Sequence, residues 1–115
     1  GWRLTPGEDF LDLRNGEVCF PDFYATQDSD RVGVELFHRW HKAGLIRRLT
    51  WVSDQPPAEA PLIVGFCKTL AKDPEVKAFM DRETFDQVAF SFSDFPTPKK
   101  LLRVLAHRKA EPLFH

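Results

Sequence analysis

An α/β fold, with a mixed sheet covered on both faces by helices, is the class that the sequence predicts. Three observations indicate it: strand-like alternation around an Asn-Gly pair, a short apolar run at residues 61–67, and apolar residues at helical spacing between the predicted strands. The predicted order is β-β-β-α-β-α-β-α, which is typical of a layered α/β domain. With 115 residues, the chain is long enough for a single domain, residues 1–115, with its own core.

The first hairpin is predicted at Asn15-Gly16, because both residues tolerate the positive φ angles of a two-residue turn. In the register that this turn sets, charge meets charge and apolar meets apolar. The expected pairs are Arg14 with Glu17, Leu13 with Val18, Asp12 with Cys19 and Leu11 with Phe20.

Residues 31–40 fit both a helical stripe and an alternating strand, and their valines and interior glycine favour the strand. We expect the second strand, residues 17–24, to pair with the third, residues 31–38, across a loop at 25–30. Symmetric pairing then places Tyr24 opposite Arg31 and Phe20 opposite Glu35.

The remaining elements follow in order along the chain. Apolar spacing predicts a helix over residues 42–52, and the run at 61–67 predicts a buried strand. Asp73-Pro74 predicts the capped start of a short helix. Alternation at 88–93 predicts the last strand, and Thr97-Pro98 predicts the start of a last helix with Leu101, Val104 and Leu105 facing inward.

The composition narrows the class of protein. Apolar residues make up 43% and aromatic residues 13% of the chain, which is typical of a globular protein, and no apolar run is long enough to span a membrane. No secretion signal is visible, and two cysteines in a domain of this size indicate reduced thiols. We therefore expect a cytoplasmic or nucleoid-associated protein.

The net charge of −1 hides an uneven distribution. Residues 1–30 carry two basic and seven acidic side chains, residues 31–50 carry five basic and one acidic, and residues 99–109 carry five basic and no acidic side chains. Basic stretches attract polyanions, although a solvated helix face explains the same pattern.

Asp22 and Glu35 are the candidate chemical residues. On the expected hairpin they lie diagonally on one face, where two carboxylates repel each other unless a cation joins them. Mg²⁺ or Mn²⁺ suits such oxygen ligands, and the carbonyl of Leu36 is a candidate third ligand. A metal held there activates water and stabilises charge on a phosphoryl oxygen. The alternative is that Pro-Asp in a turn and a later Glu carry no shared function.

The chain also resembles a known family. The opening residues 1–4, the hairpin, Pro21-Asp22-Phe23, and residues 34–40 followed by a helix resemble the PD-(D/E)XK nuclease superfamily. Within it, the chain is similar to the nucleases that partner archaeal XPB-type helicases. The resemblance implies a restriction-endonuclease-like fold and a metal-dependent DNA endonuclease directed by DNA structure. The implied setting is DNA repair or processing, on branched or single-stranded regions, beside such a helicase.

Two departures from the superfamily pattern matter. The motif places Lys two residues after the Glu, where this chain has Phe37, so Lys68 or Lys42 is the expected substitute. Members also usually have a helix before the first strand. This chain begins too late to include one, so we expect either an excised fragment or a chain without that helix.

The basic residues after the third strand are candidate substrate contacts. His38, Arg39 and His41 are expected to contact phosphate, shuttle protons or ligate metal, and Arg47 and Arg48 to contact phosphates. The alternatives are packing at the strand-to-helix corner and a solvated helix face. Two rival functions stay open: a catalytically inactive domain that binds DNA or a helicase, and a small cytoplasmic protein-interaction domain.

Overall fold

The computed structural model describes residues 2–7, 9–13, 16–56, 60–93 and 98–110, with backbone only at 108–110. Its centre is a mixed sheet of five strands in the order β1-β4-β5-β6-β7. The first two pairings are antiparallel and the last two are parallel. The strands are β1 (Arg3–Pro6), β4 (Phe23–Gln27), β5 (Asp30–Phe37), β6 (Leu62–Cys67) and β7 (Ala89–Phe92). A separate antiparallel pair is formed by β2 (Leu11–Asp12) and β3 (Val18–Cys19).

Helices cover both faces of the sheet, as predicted. They are α1 (Lys42–Ser53), a 3-10 helix (Leu70–Lys72), α2 (Pro74–Met80), α3 (Phe85–Val88) and α4 (Pro98–Ala110). Alternate residues of β6 belong to two cores because successive strand side chains point to opposite faces. Leu62, Val64 and Phe66 pack with α1, whereas Ile63 packs with α4. Within the described residues, none of these helices is long and apolar enough to cross a membrane.

The first hairpin forms, but its predicted register is wrong by one residue. Leu11 pairs with Cys19 and Asp12 with Val18, and the Leu13 N–H donates to the Glu17 carbonyl at 2.7 Å. The paired positions flank a loop one residue longer than the predicted turn, with Gly16 at φ 76°. Such loops place glycine in the left-handed region. Arg14 and Asn15 lie outside the described residues, and so does the predicted pairing of Arg14.

Residues 31–37 are in a strand, as predicted, but the register of their hairpin is also corrected. Arg31 pairs with Thr26, and Tyr24 pairs with Gly33. The connection is only Asp28-Ser29, because Asp28 adopts a left-handed φ of 55° that a short polar side chain tolerates. A shift of two residues keeps every side chain on its predicted face.

The predicted second strand, residues 17–24, divides in two. Val18–Cys19 pairs with β2, and Phe23–Gln27 pairs with β5. Pro21 lies at the division and has no N–H to donate to a ladder. Phe20 therefore belongs to neither strand, and the expected pairing of Phe20 with Glu35 is wrong.

Among the described residues, β1, the 3-10 helix and α3 are additional to the prediction. β1 is an edge strand of four residues that ends in proline, a residue that central strands exclude. Val88, predicted to start the last strand, ends α3 instead.

The capping prediction is confirmed. The Asp73 carboxylate accepts from the Glu75 N–H at 2.9 Å, with Pro74 in the first turn of α2. Leu101, Val104 and Leu105 are buried in α4, as predicted. Thr97, predicted at the start of that helix, lies outside the described residues.

Candidate active site

Asp22 and Glu35 line the same open groove, which has a volume of about 440 Å³. The groove lies between the end of β5 and the first turn of α1. Its walls come from the turn before β4, the end of β5 and the connection into α1. The other lining residues are Phe20, Leu36, Phe37, Trp40, His41, Ala43 and Gly44.

Asp22 is held by hydrogen bonds to both neighbours of Glu35. Its N–H donates to the Val34 carbonyl at 2.8 Å, and its Oδ2 accepts from the Leu36 N–H at 2.8 Å. On the other side, its carbonyl accepts from the Gly7 N–H at 3.0 Å, next to the edge strand β1. The backbone therefore fixes Asp22 across from Glu35.

Glu35 is largely buried and paired with a cation from α1. Its Oε1 accepts from Arg48 Nε at 2.5 Å, and the two side chains are 13% and 11% exposed. Burial raises the pKa of Glu35, the hydrogen bond and charge of Arg48 lower it, and the charge of Asp22 raises it again. The two carboxylates therefore interact electrostatically, and their combined negative charge favours a cation beside them.

The two arginines expected to contact phosphate are engaged by acids of this chain. Arg47 donates through Nε and Nη2 to Glu17, at 3.1 and 2.9 Å. Arg48 Nη1 lies 3.8 Å from the second Glu17 oxygen and is buried without a hydrogen-bond partner among the described atoms. These contacts fasten the β2–β3 hairpin to α1.

The cation nearest Glu35 is Arg48, which the sequence indicated only as a phosphate contact. Phe37, at the position where the superfamily motif has lysine, is buried in the core below α1. Lys42 Nζ lies 2.8 Å from Asp73 Oδ2 and 3.5 Å from Glu75 Oε1. Lys68 follows β6, its N–H donates to the Phe92 carbonyl at 2.6 Å, and its side chain is exposed.

The connection from β5 to α1 contains a group of aromatic and basic side chains. The His38 ring stacks on Trp40, with 5.2 Å between ring centroids and 19° between planes. His41 Nδ1 accepts from the His38 N–H at 3.3 Å, and His41 lines the groove. Arg39 is exposed on the same connection.

The donor set of the groove fits a hard divalent ion. Magnesium is usually held by one or two carboxylates together with water and substrate phosphate, and not by a full cage of side chains. Asp22 and Glu35 supply two carboxylates, and Leu36, whose carbonyl is the expected third ligand, lines the same groove. Across the described part of the chain, no three His, Cys, Asp or Glu residues are grouped closely enough to form a metal cage.

A scan against protein-family models found no matching family, and a search of curated proteins found no matching relative. The interpretation of the groove rests on its own residues for this reason. Three features of the groove bear on its function: the paired carboxylates, the Arg48 cation on the helix behind them, and the aromatic rings at the rim.

Proposed function

We propose that this chain is a metal-dependent deoxyribonuclease that hydrolyses phosphodiester bonds in DNA repair or processing. One observation carries the proposal: Asp22 donates its N–H to the Val34 carbonyl and accepts from the Leu36 N–H through its carboxylate, which holds it across from Glu35 in one open groove. The order of the mixed sheet supports the finer proposal of a restriction-endonuclease-like fold. The XPB-type helicase partner rests on the sequence resemblance.

The residues of the groove have distinct roles in this proposal. Asp22, Glu35 and the Leu36 carbonyl would hold Mg²⁺ or Mn²⁺. The metal would supply an activated water and stabilise the charge on a phosphoryl oxygen. Arg48 holds the Glu35 carboxylate through its Nε donor, which limits the rotation of that side chain. His41 lines the groove, and because its Nδ1 accepts from the His38 N–H, its Nε2 is the nitrogen that can contact substrate.

The proposal is tested by cleavage of labelled single-stranded, duplex and forked DNA with Mn²⁺. Asp22→Asn and Glu35→Gln should each lower the rate by roughly 100-fold or more, because metal charge stabilisation contributes several kcal/mol to such reactions. Chelation with EDTA should abolish cleavage. The matched controls are Asp81→Asn and Glu83→Gln, two exposed acids that do not line the groove.

Cleavage that survives in both groove variants at the rate of the unmodified chain would reject the assignment. Circular dichroism of each variant separates loss of chemistry from loss of fold.

A catalytically inactive DNA-binding domain is the second candidate. The Arg48 guanidinium favours it, because a cation already neutralises Glu35 where a metal would bind. This candidate predicts salt-sensitive DNA binding without cleavage, and binding that is kept or strengthened in Asp22→Asn because the acid repels phosphate.

A further inference from the structure

Phe20 and Trp40 are the most exposed large apolar side chains in the described part of the chain, at 73% and 69%. Single exposed apolar residues are common on protein surfaces. These two, however, line the groove that contains Asp22 and Glu35. Two exposed aromatic rings therefore line the candidate active site.

Trp40 is exposed but not loosely attached. His38 stacks on it at 5.2 Å, and the edge of His38 contacts the buried Phe92 ring at 6.1 Å between centroids. The His41 ring lies 5.4 Å from the indole at 62°. The indole is thus supported from the core side, and a ligand that stacks on it needs little further ordering of the protein.

Phe20 contacts one neighbouring ring, that of Phe10, which is itself 57% exposed. Its ring meets Phe10 edge to face, with 6.3 Å between centroids and 60° between planes. Phe20 lies two residues before Asp22 in the sequence, so the hydrogen bonds that hold Asp22 also restrict the backbone of Phe20.

The exposed cation next to Trp40 is Arg39, whereas Lys42 contacts acids of this chain. Since the groove itself carries the carboxylates of Asp22 and Glu35, Arg39 is the side chain that offers positive charge to a polyanion here. Aromatic rings interleaved with basic residues are typical of surfaces that bind unpaired nucleic acid, since bases stack on the rings while cations contact the backbone.

We propose that Trp40 and Phe20 form a stacking platform for unpaired bases beside the carboxylates. The inference rests on the proposed nuclease function and assigns recognition of the unpaired strand to these two side chains. Paired bases inside a duplex have both faces covered by their neighbours and cannot use the platform.

The test is binding of a fluorescein-labelled oligothymidine and of a duplex of equal length, followed by anisotropy. It uses the unmodified chain and Asp22→Asn, in which a groove carboxylate is neutralised. On both backgrounds Trp40→Ala should weaken single-strand binding by roughly tenfold, and Phe20→Ala should weaken it similarly. Duplex binding should change by less than about twofold.

Conservative variants separate stacking from simple apolar contact. Trp40→Phe should keep most of the affinity, whereas Phe20→Leu should lose it, because leucine has no flat face. Leu102→Ala is the matched control, since Leu102 is an exposed apolar residue of α4 outside the groove.

Three results would overturn the platform. The first is an equal loss of affinity for single strand and duplex, and the second is no loss of affinity in Trp40→Ala and Phe20→Ala. The third is no single-strand binding by either background. The last result would leave the rim as a surface for a protein partner. Cleavage that requires metal, Asp22 and Glu35 but does not change in the Trp40 and Phe20 variants would reject the platform. The proposed nuclease function would still stand.

Discussion

Arg48 joins two acids that are distant in sequence. It donates to Glu35 on β5 and approaches Glu17 beside the β2–β3 hairpin, with only 11% of its side chain exposed. Its neighbour Arg47 also binds Glu17, yet 69% of that side chain is exposed. Two adjacent arginines of one helix therefore hold carboxylates in very different surroundings.

This contrast predicts unequal effects on stability. Arg48→Met should lower the free energy of unfolding by about 3 kcal/mol, because it leaves the buried Glu35 carboxylate without its partner. Arg47→Met should lower it by less than about 1 kcal/mol, since exposed ion pairs contribute little. Urea unfolding followed by circular dichroism measures both variants, and equal losses would contradict the burial argument.

Cys19 gives a prediction on pH. Burial raises the pKa of its thiol to about 11, the charge of Glu35 also raises it, and the charge of Arg48 lowers it. Only the thiolate reacts, so near pH 8 roughly one Cys19 in a thousand is reactive.

We therefore expect iodoacetamide to label the half-buried Cys67 first and Cys19 only slowly, with the Cys19 rate rising as the pH approaches 11. Peptide mapping after timed labelling measures this, with urea-unfolded protein as the control. Rapid labelling of native Cys19 at pH 8 would show that its surroundings are open.

The sequence could indicate the candidate acids but not the cation beside them. The sequence indicates Asp22 and Glu35 because both acids fall within strands of one predicted hairpin, residues 17–24 and 31–38. Arg48 was predicted on the correct helix, but helical periodicity does not specify which neighbouring element a long side chain reaches. The stacking of Trp40 on His38 depends on a turn that helical periodicity does not describe.

Gly65 in β6 and Gly44 in α1 differ in whether the structure has room for a larger side chain. A Cβ added at Gly65 in β6 would lie 2.7 Å from Phe90 Cζ and 2.8 Å from Leu36 Cδ2. At Gly44, exposed in the first turns of α1, the nearest atom is Phe37 Cε1 at 3.4 Å, an ordinary contact. The strand glycine is required by packing, and the helix glycine is not.

Gly65→Ala should therefore destabilise the protein by about 1–3 kcal/mol through overpacking. Gly44→Ala should stabilise it by about 0.5–1 kcal/mol, because alanine is the better helix former. Thermal unfolding of the two variants beside the unmodified chain is the measurement. A neutral Gly65→Ala would show that Phe90 and Leu36 move aside at no cost.

Elements with strong local signals were predictable, and those that depend on turn conformation were less so. The apolar run of β6, the Asp73 cap of α2 and the inward face of α4 follow from local pattern. The two hairpin registers depend on the left-handed residues Gly16 and Asp28, which set loop length independently of strand pattern. β1 was not predicted, because four residues that end in proline have no strand pattern of their own. They form a strand only through their pairing with β4.

The whole molecule has two cores that meet at β6. Every residue of the strand from Leu62 to Phe66 is buried, and alternate residues belong to opposite cores. The β2–β3 pair, by contrast, has two residues in each strand and lies outside the main sheet. Protection against local opening should therefore differ strongly between them.

Hydrogen exchange followed by NMR tests this difference. Amides of β6 should exchange only through global unfolding, so their rates should follow stability across the Arg48→Met and Gly44→Ala variants. Amides of β2 and β3 should exchange faster and respond to Glu17→Gln, which removes the carboxylate that Arg47 and Arg48 contact. Equal protection in the two regions would mean that the hairpin and the sheet unfold as one unit.

The turn at Asp28-Ser29 affects how the protein is made. The contacts that place Asp22 opposite Glu35 come from Gly7, Val34 and Leu36, and these residues emerge from the ribosome before β6 does. A hairpin closed by two residues forms within microseconds, whereas the parallel pairing of β5 with β6 must wait for residues 38–61. The spacing of the two carboxylates is thus specified by the part of the chain that emerges first, and the later core stabilises a geometry that local pairing has already selected.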